Sequence, residues 1–133
     1  MSWIEVERKR ELDDPAVLRS RLAARDWRPG DTSTEVDTYY SRMVKLCQVE
    51  KTRTPFAHPD RTEVTVVIDH VAGIGWFVET EVLAEKTAEA QLLLEHIEQQ
   101  LSLSDCSIVR LPCRDLLLQR GQATTDGPAP ASL

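Results

Sequence analysis

The chain is short of the residues that commit a protein to the most easily recognised classes. It has three cysteines, Cys47, Cys106 and Cys113. That odd number, without C-x-x-C spacing, argues against a disulfide framework and against a zinc site. They read as idle thiols in a reducing compartment, and the expected location is cytoplasmic. Glycine is sparse, at five residues in 133, and no P-loop, H-E-x-x-H or G-x-S-x-G motif is present. Aromatic residues are 5% of the chain. Trp3, Trp27 and Trp76 are too scattered for a base-stacking row and read as core or rim anchors. No apolar run approaches the ~20 residues needed to span a bilayer. The first ten residues carry too much charge for a signal peptide. Positive charge is in deficit, with 16 Lys and Arg against 22 Asp and Glu and a net charge of −6. Nucleic acid and anionic membrane, which both demand a basic patch, are therefore not expected partners. If the ligand is an anion, something must offset the carboxylates, and a divalent cation is the usual agent.

What is present suits one globular domain: 41% apolar and 29% charged residues in a length that buries roughly two-thirds of its unfolded surface. Residues 3–10 alternate with period two, which reads as a strand. Asp14-Pro15 opens a helix reaching about Arg25, with Val17, Leu18 and Leu22 as its apolar stripe. Pro29-Gly30 breaks the chain. Strands follow over Ser33–Ser41, over Val44–Thr54 (ended by Pro55), over Glu63–His70 and over Trp76–Ala84. His58-Pro59-Asp60 and Gly73 with Gly75 mark turns. Thr87 reads as the cap of a longer helix, in which Ala90, Leu93, Leu94, Ile97 and Leu101 recur at helical spacing. A last short helix is expected over Cys113–Arg120. The domain thus covers 1–120, with a disordered tail over 121–133. Five strands with helices outside them predict an α+β fold on an antiparallel sheet.

Two of these strands carry carboxylate pairs. Glu5 and Glu7 point one way while Ile4, Val6 and Arg8 point the other. Glu79 and Glu81 repeat the pattern opposite Trp76, Val78, Thr80 and Val82. Asp69 joins them if its strand turns the same face. Carboxylates that converge in a partly dry space repel one another and persist only if cations neutralise them. Lys9, Lys51 and Arg53 supply part of that charge, and hard divalent cations shared with substrate phosphates would supply the rest. Alternating Glu is also the ordinary wet face of an antiparallel sheet, and the pattern alone leaves both readings open. His58, His70 and His96 share no ligand spacing and read as structural or solvated. Tyr39 and Tyr40 read as packing residues.

The motifs taken together resemble the CYTH superfamily, the triphosphate tunnel metalloenzymes, which include class IV adenylate cyclases and thiamine triphosphatases. Glu5-x-Glu7-x-Lys9 resembles the family's amino-terminal E-x-E-x-K strand, and Asp37-Thr38-Tyr39-Tyr40 its D-T-Y-Y segment. Val49-Glu50-Lys51-Thr52-Arg53 resembles a later basic strand. Ile68–Val71 with Phe77-Val78-Glu79-Thr80-Glu81 resembles the closing hairpin, and Arg114–Leu117 the carboxy-terminal helix. The resemblance covers most of residues 3–120, and the 73–81 stretch is closer to the cyclase branch. It implies that Glu5, Glu7, Glu79 and Glu81, with Asp69, hold Mg2+ or Mn2+, and that Lys9, Lys51 and Arg53 contact the triphosphate. The reaction implied is ATP to cyclic AMP and pyrophosphate. Hydrolysis of an inorganic or organic triphosphate, or binding without catalysis, are the alternatives.

The departure from the family is large. After Tyr40 the chain passes almost at once into Val44–Arg53, so about three strands, one helix and several basic residues of the tunnel are missing. Cys113 also stands where the family has a tyrosine. Five strands do not close the family's eight-stranded barrel, so the resemblance implies a partial β-barrel, an open saddle with exposed edges. Exposed edges invite a second chain, so the expected assembly is a homodimer that completes the barrel.

Overall fold

The alternation of the first segment becomes β1 (Ile4–Leu12). It is followed by α1 (Pro15–Ala24), β2 (Arg28–Pro29), β3 (Ser33–Ser41), β4 (Val44–Ala57), β5 (Val64–Val71), β6 (Gly75–Ala84) and α2 (Thr87–Gln100). The structure, a computed structural model, describes residues 2–42, 44–110, 115 and 118. Of the helix expected over 113–120 only Asp115 and Leu118 fall among these, both helical, and the tail expected over 121–133 lies outside the described residues.

The strands form one open antiparallel sheet in the order β1-β6-β5-β4-β2, with β3 also on β4. The fold is α+β, as the pattern predicts, but with six strands instead of five. The extra strand is β2, two residues opposite Ala57 and Phe56. It lies along the edge of β4 that β3 continues after the break at Gly30. Pro55 does not end β4 as expected. Its carbonyl accepts from the Gly30 N–H at 2.8 Å. Within a strand a residue's N and C=O face the same neighbour. The missing donor of Pro55 therefore falls on the short β2 edge, and the ladder to β5 loses nothing.

Both helices are closed the same way. Asp14 caps α1 by accepting from the Ala16 N–H at 3.0 Å. At its end Asp26 takes a left-handed φ of 63°, and the Asp26 and Trp27 N–H groups donate back to Ala23 and Leu22, a Schellman closure. Ser102, with φ 57°, closes α2 through the same pair of bonds, from Ser102 to Gln99 and from Leu103 to Glu98. The cap of α2 is Lys86, which makes no side-chain bond, and not Thr87, which is already helical.

Leu18, Leu22, Ala90, Leu94 and Ile97 of the helices bury against Val64, Val66, Ile68, Val78 and Val82 of the sheet. Each fully buried Leu or Ile contributes about 1.5–3 kcal/mol. Val17, expected on that stripe, is exposed. All of this covers one face. Among the described residues the other carries a small apolar cluster of Val49, Val71 and Phe77, backed by Tyr39, and the buried Val67, and is otherwise given to charged side chains. Trp27 and Trp76 pack in or against the core, while Trp3 is exposed. His58 and His70 lie against Trp27 and Trp76. No helix among the described residues is long and apolar enough to cross a membrane.

Candidate metal centre

The registers decide which charged residues meet. Glu7 lies opposite Glu81 and Lys9 opposite Glu79. Glu81 and Glu79 in turn face Thr65 and Val67, and Phe77 faces Asp69. Asp69 then faces Arg53, and Val71 faces Lys51. Directly opposed residues share a face, and so do residues two apart on one strand. Glu5, Glu7, Lys9, Lys51, Arg53, Asp69, Glu79 and Glu81 therefore all project from the helix-free face.

They do not form one uniform cluster. Glu5, Glu7 and Glu81 each offer a carboxylate oxygen, and these oxygens lie within 4.8 Å of one another. Glu79 is drawn toward the cations instead, with Lys9 Nζ at 3.8 Å and an Arg53 guanidinium nitrogen at 3.9 Å from its Oε2. Arg53 Nε stands 3.0 Å from Asp69 Oδ1. Asp69 is 1% exposed, and among the described residues neither of its oxygens accepts a well-aligned hydrogen bond. Lys51 reaches this group through its charge, which acts on Asp69.

The carboxyls show the cost of this crowding. Burial pushes Glu81 up to about 7, helped by its hydrogen bond to Glu79 and by the charges of Glu79, Glu5 and Glu7. Glu7 is raised mainly by its own hydrogen bond to Glu79, then by burial and by the charges of Glu79 and Glu5. Asp69 is raised by burial, which outweighs Arg53, Lys51 and Lys9. Glu79 moves down. Burial alone would raise it, but the bonds from Glu81 and Glu7 and the charges of Lys9 and Arg53 win. Glu79 thus acts as the shared acceptor for protons held by its neighbours.

One residue escaped the sequence reading. The Val109 N–H donates to the Lys9 carbonyl at 2.8 Å, and the Glu11 N–H to that of Ser107. The 107–109 segment thereby runs along the outer edge of β1 and brings Arg110 to an open cavity of about 470 Å³ lined also by Glu7, Lys9 and Glu79. The only signal in the sequence is a β-branched pair, Ile108-Val109, directly before the arginine, too short to read as a strand.

No protein-family model matches the chain, and no curated protein matches it. Solved structures do. The PH1012 protein from Pyrococcus horikoshii superimposes with a TM-score of 0.62 at 12% identity, over 86% of this chain and 99% of that one. A conserved hypothetical protein from Pyrococcus furiosus gives 0.60 at 16%, over 85% and 99%. A "putative adenylate cyclase" from Vibrio parahaemolyticus gives 0.61 at 13%, over 85% and 97%. At these identities the likeness is one of fold, and it is consistent with the CYTH-like architecture that the motifs resemble.

Proposed function

We propose that the chain performs metal-dependent phosphoryl-transfer chemistry on a triphosphate, with conversion of ATP to cyclic AMP and pyrophosphate as the favoured reaction. The observation that carries this reading is the set of oxygens from Glu5, Glu7 and Glu81 within 4.8 Å of one another, with Lys9 and Arg53 beside them. The residues fit a hard divalent cation. The donors are all carboxylate oxygens, the kind Mg2+ and Mn2+ prefer. Burial and a hydrogen bond to Glu79 raise Glu81, a hydrogen bond of its own to Glu79 and burial raise Glu7, and the neighbouring acidic charges add to both; a bound cation would relieve that repulsion. Glu5, Glu7 and Glu81 would hold the ion, with Glu79 and Asp69 next to them. Such an ion supplies charge neutralisation on the phosphoryl oxygens and orients the leaving group.

The chain's own part is binding and positioning. Lys9, Lys51 and Arg53 contact phosphate oxygens from the same face, and Arg53 does so from a position set by Asp69. Phosphoryl transfer asks for little more than in-line placement and charge stabilisation. Hydrolysis in place of cyclisation requires only that a water, and not the ribose hydroxyl, be held in line. The superposition with a "putative adenylate cyclase" supports the first reaction. The test is incubation with ATP or tripolyphosphate and Mg2+ or Mn2+, with chromatography for cyclic AMP, pyrophosphate and phosphate. No turnover of either compound with either metal overturns the enzymatic reading.

The open edges of the sheet favour a second reading, a binding module that holds a metal–triphosphate without turning it over. Calorimetry separates the two, because that module shows metal-dependent affinity with no product.

A further inference from the structure

The β3–β4 hairpin outruns the rest of the sheet. β5 accompanies β4 only over Lys51–Ala57, while β3 follows β4 from Arg53 back to Val44. Residues 36–41 and 44–50 therefore run on past β5 as a two-stranded arm, which packs through Val49, Tyr39 and Cys47 on the cluster of Val71 and Phe77. The arm exposes Val36 at 52% and Tyr40 at 65%. Among the described residues β3 pairs with β4 alone, so no other described strand covers its outer edge.

We propose that a second copy of this chain docks there, β3 against β3, antiparallel about a two-fold axis through Thr38. A two-fold axis normal to the sheet keeps every side chain on its own face, so opposed residue numbers must sum to an even number. This leaves few registers, and charge removes most of them. Centring on Glu35 or Asp37 sets a carboxylate against its own copy. Centring on Val36 sets Glu35 against the partner's Asp37, twice. Centring on Tyr39 sets Val36 against the partner's Arg42. Centring on Thr38 matches every residue from Glu35 to Ser41. Val36 then faces the partner's Tyr40 and Tyr40 the partner's Val36, an aromatic and β-branched pairing that stabilises antiparallel strands. Glu35 faces the partner's Ser41, Asp37 faces the partner's Tyr39, and no carboxylate opposes another. The two exposed apolar side chains of β3 cover each other.

The axis preserves faces, so both acidic hollows open on one side of a continuous sheet. None of Glu5, Glu7, Glu79 and Glu81 lies in the pairing, which therefore stands independently of the proposed activity.

The test uses the full chain. Light scattering at micromolar concentration gives twice the 15.0 kDa chain mass, and Thr38→Glu, which sets two carboxylates at the axis, gives a monomer. Disulfide trapping fixes the register in a C47S/C106S/C113S background whose circular dichroism matches the wild type. Opposed Cα atoms lie about 4.5–5.5 Å apart, inside the ~4.4–6.8 Å span of a disulfide, so Thr38→Cys cross-links under oxidation. Val36→Cys or Tyr40→Cys alone does not, because each lies about 13 Å from its own copy along the strand. An equimolar mixture of those two variants does cross-link. The proposal is overturned by a monomeric wild type, by a dimer that Thr38→Glu leaves intact, or by trapping at Val36→Cys or Tyr40→Cys alone. A monomer whose β3 amides resist hydrogen exchange also overturns it, since another part of the same chain then occupies that edge.

Discussion

Strand β1 carries a charge cluster on each of its faces, and the two follow opposite rules. On the helix side, Arg8 donates to Glu98 at 2.7 Å. Arg10 donates to the other oxygen of Glu98, and also to the carbonyls of Ser104 and Cys106 at 3.1 and 2.6 Å. Glu98 and Arg10 are buried and Arg8 is half-buried, and each of the three charges has its partner. On the other face Glu5, Glu7, Glu79, Glu81 and Asp69 bring five carboxylates against Lys9, Lys51 and Arg53. Burial raises Glu81 and Asp69, a hydrogen bond to Glu79 raises Glu7, and the charges of neighbouring acids add to the shifts of Glu81 and Glu7. A cluster that exists for the fold completes itself, because an unpaired buried charge costs several kcal/mol. A cluster left in surplus, next to a cavity, has its balancing charge still to come from outside.

The contrast is broken most severely at Glu98. Glu98→Gln leaves the Arg10 guanidinium buried beside a neutral amide. The expected loss is about 3–5 kcal/mol, a large part of the ~5–15 kcal/mol that holds a domain together, read as a lower midpoint in urea unfolding. Glu5→Gln and Glu81→Gln are expected to do the reverse. They relieve repulsion, so the urea midpoint holds or rises, while affinity for Mn2+ or Mg2+ by calorimetry falls by roughly 100-fold or more, since losing even a supporting contact costs about 10–100-fold. Cyclic AMP formation falls with it. A loss of stability in those two variants equal to that of Glu98→Gln would erase the distinction between the faces.

Much of this contrast was legible in the alternation of β1. The period-two pattern already separates Glu5, Glu7 and Lys9 from Ile4, Val6 and Arg8, and the same pattern in β6 separates Glu79 and Glu81 from Val78 and Val82. Hydrophobic periodicity also located both helices, because Leu18, Leu22, Leu94 and Ile97 had to find one buried face. Glu98 was not legible. A glutamate near the end of an amphipathic helix looks solvated unless the arginines it meets, 88 and 90 residues away, are known to lie beneath it. The persistence of β4 through Pro55 was hidden for a similar reason. Whether a proline ends a strand depends on which neighbour its nitrogen faces, and that is a fact of pairing, not of sequence. The division of the acids into a triad and a Glu79–Asp69 pair with Arg53 likewise needed the register.

The acidic face should also be visible in how stability depends on pH. Glu81 stands at about 7 in the folded protein against 4.5 for an ordinary glutamate, and Glu7 and Asp69 are displaced in the same direction. A carboxyl whose value is raised by folding binds a proton more tightly in the folded state. Its contribution to stability is complete below about 4.5 and is lost as pH rises through about 7. Glu79 is displaced the other way, so its contribution is lost only below about 4.5, outside that window. The metal-free protein is therefore expected to show a falling melting temperature between pH 5 and 7.5, measured by calorimetry. Glu81→Gln flattens the slope, and Glu98→Gln, which touches the completed cluster, leaves it in place.

The smallest expected effect concerns Arg110, which lines the cavity from an exposed position on the strap along β1. A contact from such a residue is made in high dielectric and is screened by salt, so it contributes on the order of 1 kcal/mol or less. Arg110→Ala should weaken tripolyphosphate binding in the presence of Mn2+ by at most about tenfold, with the deficit shrinking as salt is added. The urea midpoint should not move, because the bonds that hold the strap are made by the backbone of Ser107 and Val109. A salt-independent loss, or a fall in stability, would place Arg110 with the self-completed cluster on the far side of β1 and not with the acidic one.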